Sequence, residues 1–195
     1  MTVPSIADAD VEKSRVFVRV DYDVPLSPDG TVEDYSKLEV SLPTLKLLIE
    51  KRAKIIIGSH MGAPGGRLNR KFSLEPVGVM LSELLDRRIY FPDNSIGDSV
   101  RKITSDMMPG DVVLLENLDF HRGERECYDE YARGLANSAS VYVNEAFSLS
   151  DQKRASLVTV PDYMERLYAG LNFHNELGAL NRLSNPEKPF VVIAG

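Results

Sequence analysis

The 195-residue sequence predicts a three-layer α/β domain, a mostly parallel sheet flanked by helices on both faces. Three observations predict it. Short β-branched runs recur along the chain and are apolar almost throughout, as strands buried on both faces are. Helix-periodic stretches alternate with them, and strand–helix–strand repetition gives parallel pairing. With 43% hydrophobic residues, the chain can fill one core of this size without staples.

The strands are VFVRV (16–20), KIIIG (54–58), DVVLL (111–115), SVYVN (140–144) and FVVIA (190–194), with RIYF (88–91) and SLVTV (156–160) as weaker runs of the same kind. The helices fall between them. Thr44 to Arg52 follows Pro43, which suits a first turn. In SLEPVGVMLSELLD, Leu74, Val77, Leu81, Leu84 and Leu85 share one face, with Ser73 placed to cap and Pro76 in the first turn. Cys127, Tyr131 and Leu135 form one stripe of a helix over 124–136, and a further helix covers 170–183. No internal repeat, low-complexity segment or linker interrupts 15–185, so residues 1–185 read as a single Rossmann-like unit.

Net charge is −6, which disfavours nucleic acid and anionic membrane as partners. The single cysteine, Cys127, leaves no internal disulfide and fits a reducing cytoplasm. The first fifteen residues lack the apolar stretch of a signal peptide, and no apolar run is long enough to span a membrane.

In open α/β sheets ligands sit beyond the carboxyl ends of the strands. Four loops there carry the informative residues: DYDVP, SHMGAPGGR, ENLDFHRGE and NEAFSLSDQKR. GAPGGR lacks the Lys-Ser/Thr ending of a P-loop and by itself reads as a plain loop. His60 suits a phosphate donor or an acid/base, and equally a hydrogen-bonded structural histidine. Asp21 and Asp23 point the same way on an extended chain, to hold a cation or substrate hydroxyls, or else to stand as solvated loop acids. His121 and His174 have no metal-like spacing, so no metal site is expected, and Cys127 reads as a small core residue.

Together the loops are more specific. RVDYDVP, SHMGAP, SLEPV, GDVVLLENLDFHRGE, YVNEAF, AGLNFHNEL and NPEKPFVVIAG occur in the order, and at about the spacing, of the N-terminal half of phosphoglycerate kinase. The chain resembles that family from about Arg15 to Gly195. The resemblance implies a glycolytic transferase with two α/β domains. The N-terminal domain holds 3-phosphoglycerate through a basic patch, the C-terminal one holds Mg-ATP or Mg-ADP, and phosphoryl transfer proceeds by positioning and cationic charge stabilisation.

Carried over residue by residue, the resemblance makes Arg19, Asp21, Asp23, Lys37 and His60 substrate-binding positions, with Asp23 standing for a family asparagine and Lys37 for a family arginine. Ala63, Asp119 and Gln152 stand where the family carries arginine; Asp151 and Arg154 stand at its two neighbouring histidines. Each lost guanidinium removes about 1.5–3 kcal/mol of charge-assisted hydrogen bonding. Lys153, Arg154, Arg67 and Arg122 carry the remaining charge of these loops, and spacing alone brings none of them to the site.

The expectation is therefore a substrate-side domain with a degraded phosphoglycerate site, binding 3-phosphoglycerate or another anion weakly and inactive by itself. No catalytic residue is assigned. Residues 186–195 read as a hinge and the first strand of a nucleotide-binding domain absent from this chain, so Mg-ATP or Mg-ADP is expected only with such a second domain. The rivals are a working kinase completed by its second half, and a non-catalytic binding or scaffold protein that turns the old cleft to a protein partner.

Overall fold

The computed structural model describes residues 3–183, 186, 188 and 190–192. Six strands form one sheet: β1 (Arg15–Arg19), β2 (Lys54–Gly58), β3 (Ile89–Tyr90), β4 (Val112–Leu114), β5 (Val141–Asn144) and β6 (Leu167–Ala169). The order is β3-β4-β2-β1-β5-β6, and every named pair is parallel, so the sheet is wholly rather than mostly parallel.

Alternate residues of the central strands feed two cores, which is why these strands read as continuous apolar runs. Val16, Val18, Ile55, Ile57, Val112 and Val141 pack beneath α1 (Ser36–Glu50) and α2 (Glu75–Leu85). Phe17, Ile56, Val113 and Tyr142 face the other way, toward α3 (Asp98–Asp106) and α5 (Asp129–Ala136). A short α4 (Arg122–Arg125) precedes α5, and α6 (Leu171–Leu183) packs against α1.

Six elements differ from the expectation. The first helix starts at Ser36, well before Pro43, which sits inside it. The added turns carry Lys37 toward the strand ends. The helix expected over 124–136 is broken at Cys127, whose φ of 55° is left-handed and cannot continue an α-helix. SLVTV is not a strand: Ala155–Thr159 forms a π-helical turn, because buried Ser156 is claimed by hydrogen bonds from two directions. The helix α3 and the three-residue strand β6, absent from the reading above, complete the layers. Of FVVIA, Phe190, Val191 and Val192 are exposed and outside the sheet, while Ile193 and Ala194 lie outside the described residues.

Among the described residues no helix is long and apolar enough to cross a membrane.

Candidate functional site

The order in which strands are added to the sheet reverses between β1 and β5. Connections from β1 run toward β2, and those from β5 run toward β6. A switch point of this kind leaves a crevice at the carboxyl ends of the two strands. A cavity of about 360 Å³ occupies it, lined by Val20 and Asp21 after β1, Glu145, Phe147 and Ser148 after β5, and Lys37 on α1.

Beside the crevice the loops after β1, β2 and β4 are tied into one floor. Tyr22 N donates to Ser59 Oγ at 2.8 Å, and Leu118 N to Ser59 O at 3.0 Å. Asn117 Nδ2 donates to Met61 O and Phe72 O, both at 2.8 Å. Glu116 accepts from Ser73 Oγ and Leu74 N, fixing the start of α2 to the same loop. Gly62 takes a φ of +60°, and its N–H donates to Asp23 Oδ1 at 2.7 Å. A β-carbon there would strike the Phe72 ring at 2.4 Å, so glycine is required on both counts.

Of the expected site residues, Asp21, Asp23, Lys37 and His60 gather on this floor. Asp21 accepts from Lys37 Nζ at 2.9 Å, Ser148 Oγ at 2.8 Å and Asp23 N at 3.2 Å. Burial raises its pKa, but the Lys37 and Ser148 hydrogen bonds outweigh that and hold the carboxyl below its ordinary value. His60 is buried, and its Nδ1 finds no hydrogen-bond partner among the described residues. Its pKa is lowered by burial and by the Arg19 charge, against the opposing pull of Asp21, Asp23 and Asp119. Four charged groups thus act on one imidazole. Ala63 is exposed, and Gln152 Oε1 makes only a long 3.4 Å contact with Arg154 Nε.

Glu124 and Ser156 were not legible as site residues, while Arg19 was expected among the substrate-binding positions. Arg19 is 1% exposed and does not open into the cleft. Its Nε donates to Ser156 Oγ at 2.7 Å and its Nη1 to Val20 O. Glu124, fully buried, accepts from Ser156 N at 2.9 Å and Ser156 Oγ at 2.5 Å. Burial lifts the Glu124 pKa, while Arg19 pulls it down. Arg154 reaches across to Asp119 in an ion pair whose carboxylate is almost wholly buried. The signal for that pair lay in the sequence. By the resemblance, a carboxylate stands at 119 where an arginine is expected, and a cation at 154 where a histidine is expected. No loop spacing shows that the two meet.

The arrangement offers hydrogen-bond acceptors at Asp21 and Asp23, a buried imidazole, and three cations, Arg19, Lys37 and Arg154, each engaged by a carboxylate or a buried hydroxyl. It can orient a small hydroxylated ligand.

The phosphoglycerate kinase family model matches residues 6–195. The phosphoglycerate kinase of Anaeromyxobacter sp. (strain K) is 39% identical over 198 residues, covering 100% of this chain and 50% of the relative. That of Leptospira biflexa serovar Patoc (strain Patoc 1 / Ames) is 41% identical over 196 residues, covering 100% of this chain and 49% of the relative. The crystal structure of the Pyrococcus horikoshii OT3 phosphoglycerate kinase superposes with a TM-score of 0.85 at 28% identity, over 95% of this chain and 46% of that one. The Coxiella burnetii phosphoglycerate kinase structure gives 0.86 at 30% identity, over 96% of this chain and 46% of that one. The chain spans about half the length of the relatives it matches. With a family model matched along nearly its whole length, the chain belongs to the phosphoglycerate kinase family.

Proposed function

We propose that this chain is the substrate-side domain of a phosphoglycerate kinase-family protein with a degraded phosphoglycerate site. The family's reaction is phosphoryl transfer between ATP and 3-phosphoglycerate. Its chemistry is almost entirely positioning and stabilisation of phosphate charge by cations. The observation that carries the reading is the Asp119–Arg154 ion pair. At the position of a family arginine stands a buried carboxylate, and the nearby cation is spent on it.

Ala63 and Gln152 add no charge at the two other positions where the resemblance places arginine. Three missing guanidinium groups amount to about 4.5–9 kcal/mol if simply added, or roughly three to six decades in affinity. Arg19 does not make this up, because it is consumed inside the fold. Asp21, Asp23 and His60 remain as the hydroxyl- and anion-facing groups, with Lys37 held against Asp21. Mg-ATP or Mg-ADP belongs to the reading only with a nucleotide-binding second domain, and the setting is cytoplasmic.

A coupled assay with ATP and 3-phosphoglycerate tests the catalytic half: the purified chain gives no turnover above buffer. Calorimetric titration with 3-phosphoglycerate tests the binding half. Weak or absent binding is expected, and binding tighter than about 10 µM, close to −7 kcal/mol, overturns the degraded-site reading.

A further inference from the structure

The Asp119 carboxylate is 3% exposed and the Arg154 side chain 22% exposed. Both ends of the pair are anchored. Asp119 lies in a 3-10 turn whose N–H donates to Asn117 Oδ1 at 2.9 Å, and its carbonyl accepts from Gly66 N at 3.0 Å. Arg154 leads into the turn that Ser156 pins to Glu124 and Arg19. The pair therefore spans the loops after β4 and β5, and neither loop is free to withdraw its partner.

Three cations are tied to this floor by hydrogen bonds to its loops. Arg19 is buried and consumed by Ser156 and a carbonyl. Lys37 is held by Asp21. Arg154 gives Nη1 to Asp119 and only a long contact from Nε, and its Nη2 donates to nothing among the described residues. Of the three it alone is a guanidinium with an edge left in solvent.

We infer that the Asp119–Arg154 pair decides what the cleft admits. Arg154 is its anion-binding guanidinium, and Asp119 is a built-in competitor for that guanidinium, so carboxylate and phosphate ligands are excluded while the pair is closed. The inference deepens the degraded-site reading and rests on it. A carboxylate fixed in place by its own loop has an effective concentration far above that of a free metabolite at millimolar levels. An incoming anion has to displace it, and then lies beside a buried carboxylate of like charge. Neutralising Asp119, without adding any cation, leaves Arg154 in place and unopposed.

The test is calorimetric titration of three folded proteins with inorganic phosphate and with 3-phosphoglycerate: the parent chain, Asp119→Asn, and Asp119→Asn combined with Arg154→Gln. The asparagine variant keeps the side-chain shape and an acceptor for Arg154. Thermal melts establish that each protein is folded, and Asp119→Ser replaces Asp119→Asn if the latter is not. The parent is expected to bind neither ligand measurably below about 10 mM, which is above about −3 kcal/mol. The single variant gains at least tenfold for both ligands, and the double variant returns to the parent level. Two results overturn the inference: no gain in the folded single variant, or an equal gain in the double variant, which would credit charge removal rather than Arg154. With a weak parent, either leaves the degraded-site reading standing. Tight 3-phosphoglycerate binding by the parent removes that reading instead.

Discussion

Arg19 Nε donates to Ser156 Oγ at 2.7 Å, and the same hydroxyl donates to Glu124 Oε1 at 2.5 Å. One small side chain thus mediates between two fully buried ionisable groups on β1 and α4. The hydroxyl also sets the loop that delivers Arg154.

Ser156→Ala removes this mediator and leaves a buried guanidinium nitrogen and a buried carboxylate oxygen each short of a partner. Each unsatisfied group costs about 1–3 kcal/mol, so a loss of about 2–6 kcal/mol is expected. Urea unfolding at neutral pH measures it, and a loss below about 0.5 kcal/mol, typical of a surface change, would refute the role given to Ser156.

Placing at position 119 the arginine that the resemblance expects is, by itself, expected to fail. Asp119→Arg would set a second guanidinium against Arg154 in a nearly closed space. Loss of the partner and like-charge contact together destabilise by about 3–5 kcal/mol, the range for breaking a buried pair. Adding Arg154→His, the residue the resemblance expects at that position, is expected to recover most of the loss. Midpoints of thermal unfolding for the single and double variants decide the matter: equal midpoints contradict the coupling.

Gly170→Ala is expected to loosen α6. A β-carbon at 170 would lie 2.0 Å from Glu145 Oε2. That carboxylate accepts from Phe173 N at 3.1 Å and Asn172 N at 3.2 Å, and from Thr44 Oγ1 at 2.6 Å, so it caps α6 and ties it to α1. Displacing a cap of this kind costs about 0.5–2 kcal/mol. Amide exchange of Asn172 and Phe173 reports it directly; protection unchanged from the parent would show that the cap does not depend on this glycine.

His60 gives a pH dependence. Its folded pKa is lowered from the ordinary 6.5, first by burial and then by Arg19. The folded protein therefore binds fewer protons than the unfolded chain just below pH 6.5. The His60 contribution to stability is fully present above 6.5 and is lost as the pH falls from 6.5 through the lowered value. His60→Gln flattens that part of the stability curve. In Asp119→Asn one of the charges that raise the His60 pKa is gone, so its imidazole proton resonances should titrate at lower pH still. An unchanged midpoint would mean that Asp119 is not close enough to act on it.

The strand positions were legible because burial on both faces leaves a continuous apolar run, as in Ile55, Ile56 and Ile57. The same signature misled at SLVTV, where a buried hydroxyl and two long-range hydrogen bonds outweigh β-branched preference. β6 escaped notice because it is three residues long with Leu167 partly exposed. The loops Asp21–Asp23, His60–Gly66 and Asn117–Asp119 were legible as a cluster because the strand ends of a parallel sheet share one side. What stayed hidden was partner choice. Nothing local tells Arg19 to turn inward to Ser156, or Arg154 to reach Asp119, since those contacts join residues 137 and 35 positions apart.

Strand β1 lies between β2 and β5, with Val16 opposite both Ile55 and Val141. The start of the chain is also stitched to its last strand, where Ala169 N donates to Pro4 O at 2.8 Å. On the ribosome these neighbours appear far apart in time. β1 can find β2 early, but its other edge stays unpaired until residue 141 has left the exit tunnel. A nascent chain of intermediate length therefore presents an apolar, unprotected strand edge, the kind that recruits chaperones or pairs with another chain. The central position that lets β1 deliver Asp21 and Asp23 to the cleft is thus also what makes the half-made protein vulnerable.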